Sequence, residues 1–202
     1  MAPGPQVVVL LGGPGAGKGT QAHLLSASLG IPHISSGELL RELSSPGTQS
    51  VMTRGDLLAD DVVTDILLAR LEQPDAARGA VLDGFPRTLE QARVLDRWLD
   101  QHGGAVRAAI SLEVPADELS RRIAGRAEVS GRSDDRADTT ATRLEEFHKE
   151  VPAVLRYYAE RGLLREVDGA RPVEEVQRSI MQALAPPRRD GSLQTYSRGR
   201  AW

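Results

Sequence analysis

The run Gly12-Gly13-Pro14-Gly15-Ala16-Gly17-Lys18-Gly19-Thr20 restricts this chain more than any other feature. It stands directly after an apolar run at residues 7–11 and directly before a stretch of helical period. Strand, glycine-rich turn and helix in that order make a phosphate-binding loop. Glycines admit torsions and close approaches that a Cβ blocks, so successive N–H groups can converge on one anion. The positive end of the following helix strengthens that field. Lys18 adds a charge that can reach the β- and γ-phosphates of a nucleotide. The general pattern has Ser or Thr immediately after the lysine, whereas here Gly19 intervenes and Thr20 follows. That departure narrows the subfamily.

A loop of this kind sits at the end of a buried strand, and the rest of the chain supplies partners for it. Short aliphatic runs at residues 7–11, 32–35, 80–83, 108–114 and 164–167 alternate with helical stretches at 18–29, 60–73, 88–101, 115–126, 140–161 and 173–184. This alternation predicts an α/β fold: a central parallel sheet of about five strands with helices on both faces. Helix starts are marked by Pro115 followed by Asp117 and Glu118, and by Thr88 with Gln91 three residues on, a capping-box spacing. Aromatic residues are only 3% of the chain, so the core has to be aliphatic. Two stretches break the alternation. Residues 44–55 are rich in Ser, Pro, Gly and Thr and predict a turn-rich connection in a small inserted lobe. Residues 128–140 mix Arg and Asp around Gly131 and predict an exposed loop between two helices.

The charge balance is 25 Lys and Arg against 28 Asp and Glu, a net of −3, which excludes a bulk nucleic-acid clamp. Only Lys18 and Lys149 are lysine; the other 23 basic residues are arginine. Residues 186–202 hold four arginines and one aspartate with little apolar content, and are expected to be a disordered basic tail. The remaining 185 residues then carry −6, so an anion site must be a local cluster against an acidic background. The absence of cysteine excludes disulfides and thiolate metal sites. No basic leader precedes Lys18 and the first apolar run stops at glycines, so neither a signal peptide nor a membrane span is expected and the expected location is cytoplasmic.

Three further segments carry candidate chemistry. His33-Ile34-Ser35-Ser36-Gly37-Glu38-Leu39-Leu40-Arg41 opens a helix after the second strand, and its hydroxyl, glycine and arginine can hold a second anion; a plain N-cap is the competing role of Ser36. Asp83-Gly84-Phe85-Pro86-Arg87-Thr88 ends the third strand, at the sheet edge where α/β proteins bind ligands. Asp83 can hold Mg2+ through water, and Arg87 can face phosphates. Gln91 has two competing roles, base recognition and the capping box. Arg122 and Arg126 lie four apart on one helix face, with Arg132 in the loop beyond and Arg143 on the next helix. Singly, each suits a solvated surface. As a set, their planar forks suit a clamp over phosphates.

The GGPGAGKGTQ, SSGELLRE, DGFPRT and SGRSDD segments, in this order, resemble the nucleoside monophosphate kinases, and most closely the adenylate kinase family with a short lid. The resemblance runs from about residue 7 to 184. It implies a P-loop kinase three-layer fold in one domain over 1–185, with an NMP-binding insertion at about 35–64 and a short lid at about 125–136. It further implies reversible, Mg2+-dependent phosphoryl transfer between ATP and AMP to give ADP, by a monomer. Gly15, Ala16, Gly17, Lys18, Gly19 and Thr20 would hold the donor phosphates, with Arg126 under the lid and the backbone near Arg171 at the donor adenine. Ser36, Arg41, Asp56, Leu57, Leu58, Gly84, Phe85, Pro86, Arg87 and Gln91 would line the AMP site. Arg132 and Arg143 would reach the transferring and acceptor phosphates, and Lys18, Arg87, Arg122 and Arg126 would complete the catalytic charge. Mg2+ would be held mainly by phosphates and water, with Thr20 and Asp83 as outer contacts, and no structural zinc is expected. Glu38, the run Ala59-Asp60-Asp61, Val151 and Ser36 depart from the usual pattern conservatively. The rival readings are a UMP/CMP kinase, which tends to carry Ala at Ser36 and Asn at Thr88 and Gln91, and a P-loop ATPase or nucleotide-binding switch.

Overall fold

The computed structural model describes residues 4–42, 60–130 and 137–185, with the side chains at 60, 126–130 and 137–143 outside that description. Asp56, Leu57, Leu58, Arg132, the 44–55 connection and the 186–202 tail therefore lie outside the described residues. In chain order the elements are β1 Gln6–Leu11, α1 Lys18–Leu29, β2 His33–Ser35, α2 Ser36–Glu42, α3 Asp60–Leu71, β3 Val81–Asp83, α4 Leu89–Gln101, β4 Ala105–Glu113, α5 Ala116–Ser130, α6 Ala137–Glu160, β5 Leu164–Asp168 and α7 Val173–Leu184.

The five strands form one parallel sheet in the order β2-β3-β1-β4-β5. Strand β1 is central, and period two splits its side chains between the two faces. Val7, Val9 and Leu11 pack with Leu67 of α3, Leu95 and Leu99 of α4, and Val154 and Tyr158 of α6. Val8 and Leu10 pack with Ala22 and Leu25 of α1 and Val176 and Ile180 of α7. Burial on both faces is why β1 reads as an unbroken apolar run rather than an alternating one. Each fully buried Val or Leu contributes about 1.5–3 kcal/mol, the largest local term that fixes the register.

The boundaries differ from the sequence reading in several places. Strand β4 starts at Ala105 rather than at 108, because the Ala105 N–H donates to Pro5 O at 3.0 Å and the chain pairs with Gln6. Helix α3 ends at Leu71, short of 73, and Pro74 opens a 3-10 turn; a residue before proline is disfavoured in helical torsions. The expected loop at 128–140 is trimmed from both sides, since α5 runs to Ser130 and α6 starts at Ala137. Helix α5 itself begins one residue after Pro115, whose carbonyl accepts from Leu119 N–H. Among the described residues no helix is long and apolar enough to cross a membrane. Because all strands run the same way, their carboxyl ends share one edge. Strands β3 and β4 flank β1 on opposite sides there, opening the crevice that α/β sheets use for ligands.

Candidate active site

Three loops leave that edge, after β1, β3 and β5, and each presents a glycine carbonyl to a cationic side chain. In the first, Gly15 and Gly17 take φ of +81° and +92°. A Cβ on Gly15 would lie 3.0 Å from Ile123 Cγ1 and 3.1 Å from Leu119 O, so helix α5 itself requires glycine there. Lys18 folds back over the loop, donating from Nζ to Gly12 O at 2.8 Å and Gly13 O at 3.0 Å. One turn on, buried Gln21 donates from Nε2 to Val173 O at 3.0 Å, tying α1 to the start of α7.

The second loop follows β3. Gly84 has φ +77°, and a Cβ there would lie 2.8 Å from Ser36 Oγ. Its carbonyl accepts from Ser36 Oγ at 2.8 Å and from Arg87 Nε at 2.8 Å. Ser36 is thus a buried brace across to α2. Gln91 Oε1 accepts from the Arg87 backbone N–H at 2.8 Å, and Gln91 N–H donates to Thr88 Oγ1 at 3.3 Å. Thr88 is thus the N-cap of α4, and Gln91 reaches one residue further back than a capping box would, to the N–H that precedes the cap. Beside them, Asp83 Oδ2 lies 3.7 Å from His33 Nε2. Burial works against ionising Asp83, but His33, Lys18 and Arg87 outweigh it and hold the carboxyl below its ordinary range.

The third loop follows β5. Gly169 O accepts from Arg122 Nη1 at 3.0 Å, and Arg122 Nε donates to Glu118 Oε1 at 2.7 Å. A Cβ on Gly169 would lie 2.8 Å from Val114 Cγ2, so the loop also needs glycine. The exposed Arg171 guanidinium turns to Asp168 at 3.1 Å and Glu175 at 3.6 Å.

A cavity of about 980 Å³ joins the three loops, at the upper end of the range for small-molecule sites. Of the residues singled out by sequence, Gly15, Ala16, Gly17, Lys18, Gly19, Thr20, Arg41, Asp83, Gly84, Pro86, Arg87, Arg122 and Arg171 line it. Ser36, Phe85 and Gln91 do not. Ser36 and Gln91 are buried behind its wall, and the Phe85 side chain sits in the core with Leu82 and Leu95. Arg126 and Arg143 fall on helical backbone, with their side chains outside the description. The cavity also exposes residues that sequence reasoning passed over, among them His23, Glu146, Phe147, Glu150, Pro172 and Val173.

The adenylate kinase family model matches residues 10–163. An adenylate kinase of Xylella fastidiosa (strain 9a5c) is 44% identical over 183 residues, which cover 88% of this chain and 98% of the relative. Adenylate kinases of Xanthomonas euvesicatoria pv. vesicatoria (strain 85-10) and Xanthomonas campestris pv. campestris (strain B100) are each 43% identical with the same coverage. With the phosphate loop, sheet order and two-ended cavity in place beneath these matches, the chain belongs to the adenylate kinase family.

Proposed function

We propose that the protein transfers the terminal phosphoryl group of ATP to AMP, reversibly, giving two molecules of ADP. The observation that carries this reading is the continuity of the cavity. One space runs from residues 169–173 past the phosphate loop to Arg41, Gly84, Pro86 and Arg87, so two phosphate chains can meet over Lys18. The first end is assigned to the ATP base and the second to AMP.

The acceptor oxygen belongs to a phosphate already ionised at neutral pH, so no general base is required. The chain's residues align the two polyanions and neutralise the charge that builds on the transferring group. Lys18 and the loop N–H groups hold the donor phosphates. Arg87, hinged on Gly84 O, is placed to meet the acceptor phosphate from the β3 side. Arg122 of α5 stands on the ATP side, bonded to Gly169 O of the loop after β5. The family resemblance adds Arg126, Arg132 and Arg143, and assigns AMP binding to the insertion at about 35–64 and lid function to about 125–136.

The ionised Asp83 carboxylate and the Thr20 hydroxyl fit a hydrated Mg2+ carried in by nucleotide. A Cβ on Gly19 would lie 3.5 Å from Asp83 Oδ2, so this carboxylate faces the start of α1. Among the described residues no group of three or more His, Asp or Glu forms a protein-only cage. When bound, Mg2+ neutralises phosphate charge.

The deciding experiment measures ADP formation from ATP with AMP, UMP, CMP, dAMP or GMP, beside a control with water alone. AMP is expected to be the fastest acceptor. Faster turnover of UMP or CMP overturns the choice of base, and ATP loss without any acceptor overturns the kinase reading. The enzyme is proposed to act as a cytoplasmic monomer, with light scattering at working concentration as the check on mass.

A further inference from the structure

We propose that Glu118 is a positioning residue for the donor nucleotide, acting through Arg122. The inference rests on the assignment of the residue 169–173 end of the cavity to ATP. Arg122 lines the cavity and Glu118 does not. The two are four apart on α5, with the acid on the N-terminal side, the favourable order for such a pair.

Arg122 is anchored at two points. Its Nε donates to Glu118 Oε1 at 2.7 Å, and its Nη1 donates to Gly169 O at 3.0 Å. Bonds on two nitrogens of one rigid plane set both its position and its tilt, which a single bond cannot do. The second anchor point is itself fixed, because Gly169 N–H donates to Glu113 O at 2.8 Å and the packing of Val114 leaves no room for a Cβ. The guanidinium is thus held between helix α5 and a braced loop at the donor end. Losing Glu118 leaves one anchor and a guanidinium whose tilt about that bond is no longer set, which ATP must then order on binding. The loss belongs to donor affinity, leaving the acceptor and the chemical step unaffected.

Glu118 has a second partner: its Oε2 accepts from Arg121 Nη2 at 2.6 Å, where Arg121 is largely exposed. An exposed pair of that kind contributes little. Were it the whole purpose of Glu118, nucleotide kinetics would be indifferent to its removal.

Steady-state kinetics on the full chain, varying ATP and AMP separately, test this. Glu118→Ala is expected to raise the KM for ATP about ten-fold, as for a charged hydrogen bond, with KM for AMP and kcat changed less than two-fold. Glu118→Gln keeps an oxygen that accepts from Nε and is expected to recover most of that loss while remaining at least two-fold above wild type. Arg121→Ala leaves the Glu118–Arg122 bond in place and is expected to leave all three constants within two-fold. Glu118→Ala added to Arg122→Ala is expected to do no further harm, since Glu118 has then nothing to position. An ATP KM unchanged in Glu118→Ala, equal losses for ATP and AMP, or additivity in the double variant overturns the proposal. If circular dichroism shows Glu118→Ala unfolded, Glu118→Gln decides, an unchanged ATP KM overturning the proposal. Wild-type protein lacking AMP-dependent ADP formation instead defeats the functional reading beneath it.

Discussion

The phosphate loop and the loop at residues 83–87 stand side by side at the ends of β1 and β3, yet they are held by different means. The first is local: its glycine torsions, its lysine and the carbonyls that receive Lys18 Nζ all belong to seven consecutive residues. The second is assembled from afar, with Ser36 of α2 beneath Gly84, Gln91 of α4 on the Arg87 N–H, and His33 of β2 beside Asp83. A local loop can lose a charge without losing its shape. In an assembled loop, the residues that set the chemistry are tied to residues that set stability.

Replacing the charge in each loop sharpens the contrast most. Lys18→Ala and Arg87→Ala are each expected to lower kcat by roughly two to four orders of magnitude, the range for removing a charge aimed at a transferring phosphoryl. Neither should lower the melting temperature by more than a few degrees, since Arg87→Ala loses the Nε bond to Gly84 O while the Arg87 backbone N–H keeps its bond to Gln91. A large loss of stability in Arg87→Ala would show that the side chain braces the loop.

Glycine replacements probe the scaffolds themselves. Gly84→Ala is expected to cost about 3 kcal/mol or more, from a left-handed torsion together with a Cβ 2.8 Å from Ser36 Oγ. Gly17→Ala has the same kind of torsion but no heavy atom within 4 Å of the new carbon, and should cost about 1–2 kcal/mol in thermal or urea unfolding. Equal costs would erase the distinction between the two loops.

Gln91 separates capping from recognition. Gln91→Ala is expected to lose about 1 kcal/mol of stability through the bond it accepts from the Arg87 N–H. Gln91→Glu keeps an acceptor for Arg87 N–H and should hold the melting temperature near wild type. A rise in AMP KM in Gln91→Glu at unchanged stability would reveal a base contact made through the amide N–H.

The smallest effect compares Asp83 with Asp96, a carboxyl outside the cavity. The Asp83 pKa is depressed, so its stabilisation is present above about pH 4 and lost as pH falls through the folded value. Burial raises the Asp96 pKa against the opposing Tyr157 hydroxyl and Arg161, so its contribution is present below about pH 4 and lost as pH rises through the folded value. The melting temperature of Asp83→Asn relative to wild type should therefore rise as pH falls from 7, and that of Asp96→Asn should fall. Parallel slopes would contradict the opposite shifts.

The same division explains what the sequence made legible. Strand β1, the phosphate loop and the cores of α1 and α7 could be read directly, because their determinants are consecutive or periodic. Thr88 could be recognised as a helix start, whereas the 2.8 Å bond that Gln91 accepts from the Arg87 N–H could not be read from spacing alone. The positions of Ser36 and Phe85 behind the cavity wall depend on packing between segments almost fifty residues apart, which no local pattern encodes. The early start of β4 depends on a bond from Ala105 to Pro5, a hundred residues away. Phe147 and Val173 joined the cavity without any sequence signal, since an apolar residue on a helix is ordinarily packing.

The sheet order has a consequence for how this chain is made. Strand β1 emerges from the ribosome first, yet its neighbours are Val81 to Asp83 on one side and Ala105 to Ser111 on the other. At roughly 5–20 residues per second, several seconds pass before either partner is synthesised. Throughout that interval the most apolar segment of the protein, with the phosphate loop at its end, has no strand to pair with. The nascent chain thus presents its future catalytic strand to chaperones before it can present it to nucleotide.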